Sequence, residues 1–345
     1  MTYRFVGANF DQMHMNTNLE WVADHPDAEI VGVCDEDPST STGSLDQAVE
    51  DLDIPDDAVY DDLDRCIEDT DPDVVLGCPM NSEHASFVER VAPHDVHVAL
   101  EKPLADTLES ADRMIDAMAE TGNLFVLNWP VSWDPVKHEV HRLVQDGTIG
   151  DVVEVQYYGG NAGAPPGDSW FYDPEAGGGS MLDYLGYGAT FSTWFRDGEL
   201  PESISAEEYV PQELDVDVQS STIARFEDGL SAFQTSWRMP TNPWEIEPQP
   251  MKGYVIVGTE GSISTVERGV EIRVQTDDEP EGYQVEPSDL PERFQNLIYY
   301  VVDRLETGEE PEGPCDPEFC REAHRIVETA KRSAEDGERL DLVAE

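Results

Sequence analysis

Short apolar runs alternate with amphipathic stretches through the first third of the chain. Runs at Tyr3–Val6, Glu29–Cys34, Val74–Gly77, Val96–Leu100 and Leu124–Leu127 predict strands, and helical spacing falls near 15–25, 44–52, 61–68, 83–92 and 107–121. Buried strands separated by helices predict a parallel sheet covered on both faces, that is, a doubly wound α/β domain over residues 1–127.

After Pro130 the rhythm changes. A helix is expected over Pro135–Gln145, a strand over Val152–Tyr158, and a polar Gly/Pro-rich loop from Gly159 to Ala176. Another helix should begin after Gly177-Gly178-Gly179. From Ile204 to Val274 the pattern is mostly strands, with turns at Asp228-Gly229 and Glu260-Gly261, and helices near 289–307 and 316–334 close the chain. Consecutive strands with few helices between them predict an α+β domain over 128–345 with an open, mainly antiparallel sheet.

Charge narrows the function classes. The chain of 345 residues has 75 acidic and 20 basic side chains, a formal net charge of −55 spread along its length. Phosphate backbones and anionic membrane surfaces repel such a surface, so neither nucleic acid nor membrane is an expected partner. Hydrophobic content of 39% still suffices for cores, which argues against disorder. The four lysines (Lys102, Lys137, Lys252, Lys331) are outnumbered by arginines, and a carboxylated, lysine-poor surface fits a cytoplasm of molar salt, where the Debye length is about 3 Å. We therefore expect a halophilic, haloarchaeal-type cytoplasmic protein, an acidic mesophilic one being the alternative. No signal peptide or membrane span is expected from the apolar pattern. Five cysteines give no disulfide framework, and Cys315 and Cys320 lack a second ligand pair, so no metal site is expected.

Three stretches carry candidate chemistry. The first strand runs into Gly7-Ala8-Asn9-Phe10-Asp11-Gln12-Met13-His14, where a dinucleotide-binding fold places G-x-G-x-x-G, and only the first glycine is present. The second strand ends at Asp35, which either accepts both adenosine ribose hydroxyls, favouring NAD over NADP, or caps the next segment. The fifth strand runs into Glu101-Lys102-Pro103, and the carboxyl ends of parallel strands are where such sheets bind ligands.

Together these residues resemble the glucose-fructose oxidoreductase, inositol dehydrogenase and rhizopine catabolism (Gfo/Idh/MocA) oxidoreductases. Cys78-Pro79-Met80-Asn81-Ser82-Glu83-His84 is similar to the family's T-P-N-x-x-H, with Pro one place early. Glu101-Lys102-Pro103 and the stretch Trp170 to Asp183, with its G-G-G-x-x-x-D spacing over 177–183, complete the likeness. The resemblance implies an N-terminal Rossmann domain, a C-terminal α/β domain supporting dimers or tetramers, and a nicotinamide cofactor contacted by Gly7, Asn9, Phe10, Asp35, Cys78, Pro79, Asn81, Glu101 and Lys102. Where the family commonly has His four residues after the Asp, this chain has Tyr187, as do some sugar-oxidising members, which turns the expectation toward aldoses.

Oxidising an alcohol requires a base for the hydroxyl proton as hydride leaves the carbon. Asp183 and Tyr187 are four apart and share one face of a helix. A lysine ammonium about 4 Å from a tyrosine would favour tyrosinate by roughly 4 kcal/mol at an effective dielectric of 20, about three pKa units. Lys102, Asp183 and Tyr187 are thus the candidate catalytic group, with Trp170 and Tyr172 as further substrate contacts. Rival readings are an NAD-assisted glycosidase, a non-catalytic sugar or nucleotide sensor, and a reductase working in the opposite direction. Lowering KCl from molar to 0.1 M lengthens the Debye length to about 10 Å and should lower the melting temperature sharply. An unchanged melting temperature would contradict the salt-adapted reading.

Overall fold

A computed structural model describes residues 1–162, 165, 169–239, 253–266 and 271–344. Lys252, parts of the expected 159–176 loop (163–164 and 166–168), and the segments 240–252 and 267–270 within the expected strand region lie outside the described residues. The chain forms two compact units and passes between them more than once: Met1–Trp133, Glu175–Gly177 and Leu290–Glu318 make the first, the remainder the second.

The first unit holds strands β1 (Tyr3–Ala8), β2 (Ala28–Cys34), β3 (Val59–Tyr60), β4 (Val74–Gly77), β5 (His97–Glu101) and β6 (Phe125–Asn128). All pair in parallel in the order β3-β2-β1-β4-β5-β6, which places a topological switch point between β1 and β4. Its helices are α1 (His14–Asp24), α2 (Leu45–Asp51), α3 (Leu63–Thr70), α4 (His84–Val91) and α5 (Leu108–Thr121). Local chemistry fixes their ends. Thr107 accepts a hydrogen bond from Ser110 N at 3.2 Å to start α5, and Gly122 at φ +72° ends it. The two-residue β3 is too short to leave an apolar signature, and the sequence pattern did not anticipate it. Phe5, Phe10, Leu19, Val74, Leu76 and Val126 form the core, which Leu297, Ile298 and Tyr300 of a helix over Leu297–Thr307 complete from far along the chain.

The second unit is built on a nine-stranded sheet and helices α6 (Pro135–Gln145) and α7 (Ser180–Phe195). Its strands are β7 (Val152–Ala162), β8 (Ser203–Tyr209), β9 (Gln219–Arg225), β10 (Leu230–Met239), β11 (Gly253–Gly258), β12 (Gly261–Val266), β13 (Ile272–Thr276), β14 (Tyr283–Val285) and β15 (Leu340–Asp341). The order is β14-β13-β12-β11-β7-β10-β9-β8-β15, antiparallel except for the central β7–β10 pair. That parallel pair makes the sheet mixed. The alternating burial of β9 leaves one face open and the other covered. Helix α7 lies close on the covered face at Gly188, where a Cβ would come within 2.8 Å of Tyr157 Cδ1. β7 runs four residues beyond its expected end, so the loop starts later than Gly159.

On α6, His138 and His141 pack on Trp194, His141 stacking on it at 4.1 Å. Burial first, then His138, pushes the His141 imidazole down to about 4. Lys137 is buried, with Nζ 3.2 Å from Asp134 Oδ2 and over the Tyr254 ring.

At the Asp228-Gly229 hairpin a Cβ on residue 229 would fall 1.8 Å from Val153 O, a main-chain atom that cannot swing aside. Gly229→Ala should cost about 2 kcal/mol, read as a lowered denaturation midpoint. An unshifted midpoint would contradict this placement of the hairpin against β7.

Candidate functional site

In the first unit the sequence-predicted residues gather at the carboxyl ends of the parallel strands. Gly7 is dictated by packing, since a Cβ there would lie 2.8 Å from Leu19 Cδ2, and its absence lets α1 approach β1. Asn9 takes the left-handed conformation, φ 62°, that turns the chain out of the strand. Phe10 is placed differently from a ligand-facing residue: it is fully buried in the core, its main-chain N–H bonding the Asp35 carboxyl and its carbonyl accepting from Gly43 N at 2.8 Å. Asp35 is buried at the end of β2 and accepts from Ser41 Oγ at 2.8 Å. Burial raises its pKa, against the hydrogen bonds from Ser41 and from the main chain of Asp37 and Phe10.

The β4 end is a second polar knot. The fully buried Cys78 thiol accepts from Asn18 Nδ2 at 3.7 Å, and burial pushes its pKa far above the usual range, so it is no nucleophile. Pro79 O and Leu104 O both lie within hydrogen-bond reach of the buried His84 ring, at 3.3 and 3.1 Å. His84 thereby ties the loop after β4 to the loop that follows Lys102. Asn81 Nδ2 donates to Gly177 O at 2.8 Å.

Glu101 and Lys102 end β5. Glu101 is buried, with Oε1 2.9 Å from His14 Nδ1 and Oε2 accepting from Asn128 Nδ2 at 2.9 Å. Lys102 is 4% exposed, and its main-chain N–H donates to Asn128 O. His14 and Asn128 were missed in the sequence reading; a single His beside a degenerate glycine turn carries no signal that it will meet a carboxylate 87 positions on.

A dinucleotide fits these residues. Gln12 Nε2 and Asn81 Oδ1 are buried with no hydrogen-bond partner, one a donor and one an acceptor beside the turn and the β4 loop. Helix α1 has no side-chain cap and no acid in its first turn, so its amino end is open to an anionic group.

In the second unit the chemistry sits on α7. The helix begins after the triple glycine as expected, but the glycines serve the chain itself. A Cβ on Gly178 would meet Phe171 O at 2.3 Å, and one on Gly179, at φ +109°, would meet Asp217 Oδ1 at 2.5 Å. Asp217 holds the head of the helix, its Oδ2 accepting from Met181 N at 2.9 Å and from Ser180 Oγ. Asp183 and Tyr187 follow on one face, both half-buried. Trp237, 1% exposed on β10, donates from Nε1 to Asp183 Oδ2 at 3.1 Å. Tyr254 donates its hydroxyl to Tyr187 O at 3.0 Å. Trp170 is buried and stacks on Phe171, and Tyr172 donates its hydroxyl to Pro165 O and packs edge-on to Trp237. Trp237 and Asp217 were also missed: Asp217 is one acid among 75, and Trp237 follows an ordinary strand alternation.

The comparisons agree with this geometry. A model described as "Oxidoreductase family, NAD-binding Rossmann fold" matches residues 1–128, and one described as "GFO/IDH/MocA C-terminal domain" matches 138–264. The chain belongs to the Gfo/Idh/MocA family of oxidoreductases, a class with an NAD-binding Rossmann domain. It is 28% identical over 188 residues to trans-1,2-dihydrobenzene-1,2-diol dehydrogenase of Xenopus tropicalis, covering 53% of this chain and 55% of that protein. It is 31% identical over 169 residues to dTDP-3,4-didehydro-2,6-dideoxy-alpha-D-glucose 3-reductase of Saccharopolyspora spinosa, covering 49% and 50%. The chain thus spans about half the length of these curated relatives. In fold it is similar to the aldose-aldose oxidoreductase of Caulobacter crescentus complexed with glycerol, with TM-score 0.83, 21% identity, and 99% and 100% of the two chains covered.

Burial, above all, raises Asp217 from 3.8 to about 7, against the Ser180 and Met181 hydrogen bonds. A carboxyl whose folded pKa lies above its unfolded value binds more protons when folded, so its contribution to stability falls as pH rises from about 4 to 7. Asp217→Asn keeps an acceptor for both donors and should gain on the wild type in unfolding free energy across that window, by a few kcal/mol at about 1.4 per pKa unit, read as a melting temperature that rises relative to wild type as pH increases. Parallel melting curves for the two proteins would contradict this.

Proposed function

We propose that the protein is an NAD-dependent dehydrogenase that oxidises a hydroxyl of a sugar or polyol, aldoses favoured, with Lys102, Asp183 and Tyr187 as its catalytic group. The observation that carries this reading is Lys102: one of four lysines in the chain, buried at the carboxyl end of β5 beside Glu101. An ammonium is costly to bury, and its retention there is explained by a task at the ligand-binding end of the sheet.

The bound nicotinamide would accept hydride from the alcohol carbon. Lys102 would stabilise the alkoxide that develops on the substrate. Tyr187 takes the hydroxyl proton. Asp183, fixed by the Trp237 N–H, orients the substrate hydroxyl through its carboxylate. Asp35 would accept the adenosine ribose hydroxyls, and with Glu36 and Asp37 after it would repel a 2′-phosphate, which favours NAD over NADP. Glu101 would meet the nicotinamide ribose, and Gly7, Asn9, Cys78, Pro79 and Asn81 would lie on the cofactor side, with Phe10 supporting that turn from within the core. Trp170 acts through packing beneath Phe171, and Tyr172 offers an aromatic edge to the substrate.

In this reading residues 1–127 hold the dinucleotide and 128–345 the substrate. The open sheet face, with Tyr209, Ile223 and Leu230 exposed, supports a homodimer or homotetramer. A salt-adapted cytoplasmic setting accounts for the charge.

Absorbance at 340 nm in molar KCl, with NAD and NADP against aldoses and polyols, tests the reaction class; net NADH production with one of them is expected. Glycoside cleavage without net NADH would replace this reading with the glycosidase one. Lys102→Ala should lower kcat at least about 100-fold with the fold intact, and Tyr187→Phe should lower kcat more than it raises KM. Full activity of Tyr187→Phe across pH would remove that residue as the base.

A further inference from the structure

The turn between β1 and α1 carries a buried acid where the fold places a diphosphate. In doubly wound sheets the dinucleotide's diphosphate rests over this turn, at the amino end of the first helix. Here Asp11, within the turn, is 2% exposed. Its Oδ1 accepts from Thr40 Oγ1 at 2.5 Å, and its main-chain carbonyl accepts from Thr42 Oγ1 at 2.6 Å and from Thr42 N. Gly43 N donates to Phe10 O at 2.8 Å, so the loop after β2 is folded down onto the turn. The remaining hydroxyls of that loop are also directed at acids, Ser39 Oγ to Asp37 and Ser41 Oγ to Asp35.

Groups from several elements face the Asp11 carboxyl. Asn9 hydrogen-bonds it from its own turn, Thr40 from the loop after β2, and the acids Asp35 at the end of β2 and Glu83 ahead of α4 repel its charge. The Cys78 thiol at the end of β4 also senses it. Burial first, with Glu83 and Asp35 adding to it against the two hydrogen bonds, pushes Asp11 up to about 6.

We propose that Asp11 couples dinucleotide binding to a proton: the diphosphate is taken up with Asp11 in its neutral, hydrogen-bonded form and is resisted by the carboxylate. A dianionic group set beside an acid raises that acid's pKa, so by linkage binding takes up a proton and tightens as pH falls. A buried carboxyl is screened little by salt, so the effect survives in molar KCl. The proposal rests on the reading of the protein as a nicotinamide-dinucleotide enzyme and adds to it an acid inside the turn, between Asn9 and Gln12, which stand where the pattern has its second and third glycines.

The test uses NADH alone. Its Kd is measured by fluorescence from pH 5.5 to 8.5 in molar KCl, and the protons taken up are counted by calorimetry in two buffers of different ionisation enthalpy. The wild type should bind about tenfold more tightly at pH 6 than at pH 8.5, taking up a fraction of one proton per NADH near pH 7. Asp11→Asn, which keeps an acceptor for Thr40, should bind tightly at every pH with no proton uptake. A wild-type Kd that does not change with pH, without proton uptake, overturns the proposal while leaving the cofactor reading standing. A variant that keeps the wild-type slope also overturns it, and the proton count on the wild type decides even if the variant does not fold. Wild-type protein that binds no NADH at any pH overturns the cofactor reading and the proposal together.

Discussion

The head of helix α7 depends on one buried carboxylate. The Asp217 carboxylate accepts from Met181 N, the second main-chain N–H of the helix, and from the Ser180 hydroxyl, its main-chain carbonyl accepts from Ser180 N, and Gly179, at φ +109°, leaves it room. Once that start is fixed, the helical repeat sets where Asp183 and Tyr187 point, and the Trp237 indole holds Asp183 in place. Without Asp217 the orphan N–H groups at the start of a mostly buried helix would lack partners. The cost of burying an acid is therefore offset by a defined direction for two side chains one turn apart.

Comparable buried polar groups organise the first unit. The carboxyl ends of its strands carry Asp11, Asp35 and Glu101 rather than an apolar layer, each satisfied by named hydroxyls, amides or an imidazole. Such networks specify position well because a half-satisfied member is expensive. Gln12 Nε2 and Asn81 Oδ1 break that pattern, and a polar ligand would complete them.

Much of this was legible in the sequence. Apolar runs of four to six residues announced five of the six parallel strands, and the triple glycine announced the start of α7. The two-residue β3 has no periodicity to read, and the parallel β7–β10 pairing joins strands far apart in sequence, which local pattern does not encode. Glu101, Lys102, Asp183 and Tyr187 are the candidates that motif spacing singled out in the sequence. Asp217, Trp237, His14 and Asn128 were not, since each acts through a partner 27 or more positions away. The space beside Gly178 and Gly179 is filled by Phe171 O and Asp217.

The most direct test of the central claim is the fate of the hydrogen on the oxidised carbon. A sugar or polyol substrate deuterated at that carbon should give reduced nicotinamide carrying the deuterium, detected by mass spectrometry, with turnover slowed by the heavier atom when hydride transfer limits the rate. Reduced nicotinamide bearing solvent hydrogen instead, or product formed with deuterium lost to water, would contradict direct hydride transfer and the catalytic roles assigned to Lys102, Asp183 and Tyr187.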